Sequence, residues 1–224
     1  MSVAQRPGGV AAKSGNSLAS VMGFFERNRN SLIEKGYSPD RLPPGQYYTE
    51  RYPVLHVGDV PTVELSTWTL RVWGKVAREV TLTWEQLHAL ATTDTTVDIH
   101  CVTKWSKFDT HWEGVRVRDV LALAEPLPDA THVLQHAEYG YTTNTPLDAV
   151  LADDALLAWS YDGKPLEPVH GGPLRMVIPS LYFWKSAKWL RGLELLDHDE
   201  PGYWERNGYH NVGDPWREER YWGD

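Results

Sequence analysis

Residues 98–114 read Asp98-Ile99-His100-Cys101-Val102-Thr103-Lys104-Trp105-Ser106-Lys107-Phe108-Asp109-Thr110-His111-Trp112-Glu113-Gly114, and they hold the single cysteine of a 224-residue chain. A strand-like lead-in, Thr96–His100, delivers Cys101. A polar, aromatic turn carrying Lys104, Trp105 and Ser106 is expected to follow it. By type alone, a free cysteine is a small buried hydrophobe. Its company here points further. Trp105, His111 and Trp112 follow within eleven residues, and such rings are placed where they pack or bind.

A second block lies nearly seventy residues downstream: His170-Gly171-Gly172-Pro173-Leu174-Arg175, then Val177-Ile178-Pro179, then Lys188-Trp189-Leu190. The glycines permit close backbone approach. Arginine grips phosphates and planar polar edges in a bidentate way. Taken with Cys101–Ser106 and Trp112-Glu113-Gly114-Val115, this block resembles the sulfite oxidase family of molybdopterin enzymes. The resemblance runs from about Pro43 to Trp222. Within the family, Cys-Val-x-x-Trp-Ser is more similar to bacterial methionine sulfoxide reductase catalytic subunits than to the Cys-x-Gly-Asn-Arg of sulfite oxidases.

The resemblance implies an α+β fold, mostly β, with mixed sheets and short helices. It implies a molybdenum–molybdopterin cofactor (Mo-MPT) and two-electron oxygen-atom transfer on a small sulfur-containing or similar oxo substrate. The pterin dithiolene would give molybdenum two sulfurs and the Cys101 thiolate a third. Metal coordination deprotonates a thiol outright, so Cys101 needs no low intrinsic pKa. The resemblance places His170, Arg175, Ser186, Ala187 and Lys188 on the cofactor. Arg51, Tyr52 and Pro53 stand at the family's first cofactor-contact loop, where the Arg-Asn-His of sulfite oxidases is absent. Tyr141 falls near the family's active-site tyrosine. Lys185 stands where many relatives have arginine. Lys104 is either a charge for an anionic substrate or a solvated loop residue.

The formal net charge of −8 argues against a nucleic-acid partner. One cysteine excludes an intrachain disulfide, a cysteine-rich iron–sulfur site and a Cys-x-x-Cys-His haem attachment. Nine histidines are present without zinc-ligand spacing. With no second redox centre in view, a separate electron donor or acceptor protein is expected. No stretch reaches the roughly 18 apolar residues of a membrane span. No signal-like n-region opens the chain, and Arg27-Asn28-Arg29 is not a twin-arginine signal, so the cytoplasm is expected.

Residues 1–42 are expected to form a Gly/Ser/Ala-rich tail (1–16) and a docking helix (18–35), and residues 43–224 the cofactor domain. Thr83-Trp84-Glu85-Gln86 reads as a capping box opening a helix to about Leu90. Val117–Ala124 reads as a helix, and Thr145-Pro146 as a helix start with proline at its first turn. Strands are expected at Thr69–Val76, Thr131–Gln135, Ala155–Tyr161, Met176–Ile178 and Trp189–Leu195, with Asp162-Gly163 as a hairpin turn. From Asp197 an irregular tail should wrap the body and bury Tyr203, Trp204, Tyr209, Trp216, Tyr221 and Trp222. His198 and His210 are minor catalytic candidates. Two other functions stay open: a molybdopterin carrier without catalysis, and a hydrolase using His170-Gly171-Gly172 as an oxyanion motif.

Overall fold

The computed structural model describes residue 23 and residues 27–224. The expected tail and the start of the first helix lie outside the described residues. The chain divides into two compact units, residues 1–41 and 42–224. In the first, residues 27–34 are helical. Gly36 closes this helix at φ 81°. The Gly36 N–H donates to Ile33 O and the Tyr37 N–H to Leu32 O, a Schellman end.

The second unit is built on two mixed sheets. Sheet A joins β1 (Tyr47–Tyr48), β5 (Trp105–Arg116), β8 (Leu156–Tyr161) and β10 (Arg175–Val177) in that order. In it β4 (Thr93–His100) pairs with β5, and β9 (Lys164–Pro165) with β8. Sheet B runs β3 (Val80–Thr83), β2 (Thr69–Gly74), β11 (Leu190–Leu196), β6 (His132–Ala137), β7 (Thr142–Pro146). The pairs β1–β5 and β2–β11 are parallel and the rest antiparallel. Short helices at Trp84–His88, Val117–Ala124, Leu147–Leu151 and Tyr203–Arg206 connect or cover them. Among the described residues no helix is long and apolar enough to cross a membrane.

Successive strand residues face opposite sides of a sheet, and sheet A uses both. On β8, Leu157 and Trp159 enter the larger core with Val115 of β5 and Met176 of β10. Leu156 and Ala158 enter a second core on the other face, with Ile99, Cys101, Trp105, Trp112 and Val177. The same alternation puts Arg175 on the Val177 side. Register pairs Arg175 with Ala158. The two sequence blocks therefore converge because strand parity delivers both to one face of one sheet.

The structure sharpens several expectations. The capping box is formed, with Gln86 N–H on Thr83 Oγ1 and Thr83 N–H on Gln86 Oε1. Trp105 and Ser106 do not lie in a turn. They begin β5, and residues 93–116 form a hairpin about a tight corner at 102–104. Pro146 is not in the helix's first turn: it ends β7 and caps the helix Leu147–Leu151 from outside. The tail aromatics divide, with Tyr203, Trp204 and Tyr209 partly buried and Trp216, Tyr221 and Trp222 exposed.

Candidate active site

The corner holding Cys101 is clamped from several sides. The Cys101 N–H donates to Trp105 O and the Lys104 N–H to Cys101 O, both at 2.9 Å. Lys104 takes φ 76°, so its side chain leaves toward solvent and does not line the cavity. The buried amide of Gln46 donates to Cys101 O (3.1 Å), and buried Arg220 donates to Val102 O (3.1 Å). Cys101 is 8% exposed and its sulfur lies 3.1 Å from Thr103 Oγ1. Burial pushes its thiol pKa up, against smaller lowering by the Thr103 contact, Arg220 and Lys188.

Cys101 opens on a cavity of about 650 Å³. Tyr52, Pro53, Arg175, Ser186, Ala187 and Lys188 share its lining. Arg175 is 1% exposed. It donates to Tyr52 Oη, His170 O, Ser186 O and Met176 O at 2.7–3.2 Å. All four acceptors are neutral, and no carboxylate among the described residues pairs with it. Its Cζ also sits 4.1 Å from the Phe183 ring centroid. A buried cation without a counter-charge is costly. Lys188, donating to Val169 O (2.6 Å), has its pKa lowered to about 7 by burial first and by Arg175 second. Two cations in one wall, both short of an anion, suit an anionic guest.

One further feature agrees with a bound polar group: the indole N–H of Trp105, a lining residue, is buried without a hydrogen-bond partner. Behind the lining the backbone is packed close, for Gly171 stands at φ 111°, where a Cβ would come within 3.0–3.1 Å of Lys188 and Arg175. Gln135 clamps the segment carrying Ser186 and Ala187 by donating to Lys185 O (2.6 Å) and accepting from the Ala187 N–H (3.0 Å). The residues present therefore fit a phosphate-bearing cofactor beside a lone thiolate donor. Among the described residues no three His, Cys, Asp or Glu side chains gather to hold a bare metal ion.

The cavity lining is also rich in rings, with Tyr141, Trp184, Tyr203, Trp204 and Tyr209. The Tyr141 hydroxyl donates to Trp184 O (3.0 Å), and burial raises its pKa well above the ordinary phenol value. Not every expected site residue reaches the cavity. Arg51 is exposed and outside its lining. His170 stands behind Tyr52, stacked on it at 3.9 Å. Its carbonyl, rather than its ring, bonds Arg175. His198 is exposed, and neither it nor His210 lines the cavity.

A sequence model of the oxidoreductase molybdopterin binding domain matches residues 57–204. The chain belongs to the sulfite oxidase-like family of molybdopterin-binding oxidoreductases. The oxidoreductase YuiH of Bacillus subtilis strain 168 is 50% identical over 185 residues, 82% of this chain and 93% of that one. The protein-methionine-sulfoxide reductase catalytic subunit MsrP of Gluconobacter oxydans is 32% identical over 157 residues, 62% of this chain and 50% of its own. In three dimensions the sulfane dehydrogenase SoxCD from Paracoccus pantotrophus shares the fold. The TM-score is 0.58 at 21% identity, over 66% of this chain and 42% of that chain.

The chain is thus an oxidoreductase whose cofactor is molybdenum–molybdopterin. The hydrolase and carrier readings do not survive the family match. Protein from a host unable to make molybdopterin should melt lower than the loaded form. A ligand at a thousandfold its Kd adds about 4 kcal/mol, which is roughly 10 °C for a domain of this size. Calorimetry of the two preparations checks this, and equal melting temperatures would contradict it.

Proposed function

We propose that this oxidoreductase reduces a neutral S-oxide or N-oxide, with Cys101 ligating molybdenum. The observation that carries the reading is the make-up of the cavity lining. Among the described residues its only lysine and arginine are Lys188 and Arg175, which fit the cofactor, and the rest of the lining is rich in aromatic rings. Asp59 and Glu138 add carboxylates to the lining. Such a chamber gives an oxyanion no counter-charge, and Lys104 does not supply one. A neutral oxide with apolar substituents needs none. Aromatic walls bind such a molecule by contact area at low entropic cost.

When bound, the cofactor supplies the two-electron exchange of an oxygen atom. For an S-oxide the balance is R₂SO plus two electrons and two protons, giving R₂S and water. The chain's own residues handle binding and orientation. Gln46 and Arg220 fix the carbonyls flanking the thiolate, so the sulfur is presented from a rigid corner. Arg175 and Lys188 offset negative charge on the cofactor. Tyr141 keeps its proton on Oη because burial raises its pKa, and its hydroxyl donates to the Trp184 carbonyl, which fixes two rings of the lining to each other.

The electrons come in this reading from a separate donor protein, and we place the reaction in the cytoplasm. Dimethyl sulfoxide and trimethylamine N-oxide should be reduced with a reduced viologen as donor. Sulfite with an artificial acceptor should turn over at least about tenfold more slowly, the effect of roughly 1.4 kcal/mol. Faster sulfite oxidation than oxide reduction would overturn the assignment.

A further inference from the structure

Behind the aromatic lining lies a buried ion pair whose own side chains do not line the cavity. Glu205 and Lys185 both have 0% side-chain exposure, and Lys185 Nζ is 2.7 Å from Glu205 Oε1. That oxygen also accepts from the Thr143 hydroxyl and the Trp184 indole N–H, each at 2.9 Å. Lys185 further donates to the Asn144 carbonyl and side-chain oxygens, at 2.9 Å each, and to Asn211 O. The pair therefore joins β7, the segment Phe183–Lys185 and the C-terminal segment. Those last two segments, with Tyr141, provide the wall. Glu205 sits on the helix whose Tyr203 and Trp204 line the cavity. That helix is pressed onto β7 at Gly202, where a Cβ would fall 2.5 Å from Thr142 O.

We propose that Glu205 is a positioning residue for substrate: through the Trp184 indole and the Lys185 ammonium it sets the aromatic wall that receives the oxide. Stability alone does not account for the arrangement. A buried ion pair is commonly matched or bettered by apolar residues of similar volume. Here the carboxylate is shared with the N–H of a ring whose face lines the cavity. Tyr141 donates to the Trp184 carbonyl, and Trp184 packs on Tyr209 at 5.2 Å. Releasing the indole thus loosens three of the wall's rings together. The inference rests on the cavity being the substrate site.

The test uses cofactor-loaded enzyme, with dimethyl sulfoxide as probe. Its Kd is read on the oxidised protein by tryptophan fluorescence, where no reduction can occur, and KM and kcat with reduced viologen. Glu205→Gln keeps the shape but removes the counter-charge. It should raise Kd and KM about tenfold, the scale of one charge-assisted hydrogen bond, with kcat within about twofold, as for uniform binding. The double variant K185M/E205L removes both charges. It should melt below wild type, because Thr143, Trp184, Asn144 and Asn211 lose buried partners, yet the folded protein should show the raised Kd, because Trp184 then lacks its acceptor. Should Glu205→Gln fail to fold, the double variant and Trp184→Phe decide. Wild-type Kd in the folded variants overturns the inference while leaving the oxide reading intact. Failure of wild type itself to bind or reduce any oxide overturns both.

Discussion

Cys101→Ser is expected to fold and to retain pterin, but to lose turnover by roughly three orders of magnitude, about 4 kcal/mol of barrier. The corner around Cys101 is held by backbone groups and by Gln46 and Arg220, none of which depends on the sulfur. Serine is nearly isosteric, so folding should survive. What changes is the donor. A hydroxyl is hard and far less acidic than a thiol, and it replaces a soft ligand matched to a soft site. The check is oxide reduction per mole of pterin, which separates lost chemistry from lost cofactor. A variant with wild-type turnover per pterin would remove Cys101 from the mechanism.

Arg175→Met is expected to empty the site. Methionine keeps much of the volume but none of the donors or charge. In the loaded protein the guanidinium would face an anion, and charge-assisted contacts contribute about 1.5–3 kcal/mol each. Loss of one such contact lowers affinity roughly tenfold or more, so pterin content should fall by at least that factor at limiting cofactor. The variant also leaves Tyr52 Oη and the His170, Ser186 and Met176 carbonyls without this donor. A lower melting temperature should accompany the loss. Pterin content is measured by fluorescence after oxidative release, with circular dichroism as the control for folding. Full pterin content would contradict the placement of Arg175 on the cofactor.

Much of this site could be read in the sequence, and the reason is local. Cys101, the glycines at 171 and 172 and Lys188 sit in short stretches whose chemistry shows on their face. The strand Thr96–His100 carried enough β-branched residues to be seen. The 12-residue β5 was missed as a strand. Lys104 just before it and its own Trp105 and Ser106 look like turn chemistry, and Asp109 interrupts it at φ 52°.

The supporting polar groups were missed for a different reason. Gln46 reaches Cys101 across 55 positions and Arg220 reaches Val102 across 118. Glu205 meets Thr143 across 62. Each is a charged or amide side chain in a polar stretch, and only tertiary packing reveals that it is buried. Lys185 is the sharpest case. It stands where many relatives have arginine, which leaves its role open in the sequence, and its ammonium lies outside the cavity lining in the pair with Glu205. In the tail, composition called for burial of all six aromatics. Packing against the cavity took Tyr203, Trp204 and Tyr209 and left Trp216, Tyr221 and Trp222 exposed.

We propose that the Cys101 thiolate ligates the molybdenum of the molybdopterin held in this cavity. X-ray absorption at the molybdenum edge counts sulfur donors directly. Wild-type protein should show three sulfurs at molybdenum, two from the dithiolene and one from the chain, and Cys101→Ser should show two. An equal sulfur count in the two proteins would contradict the account.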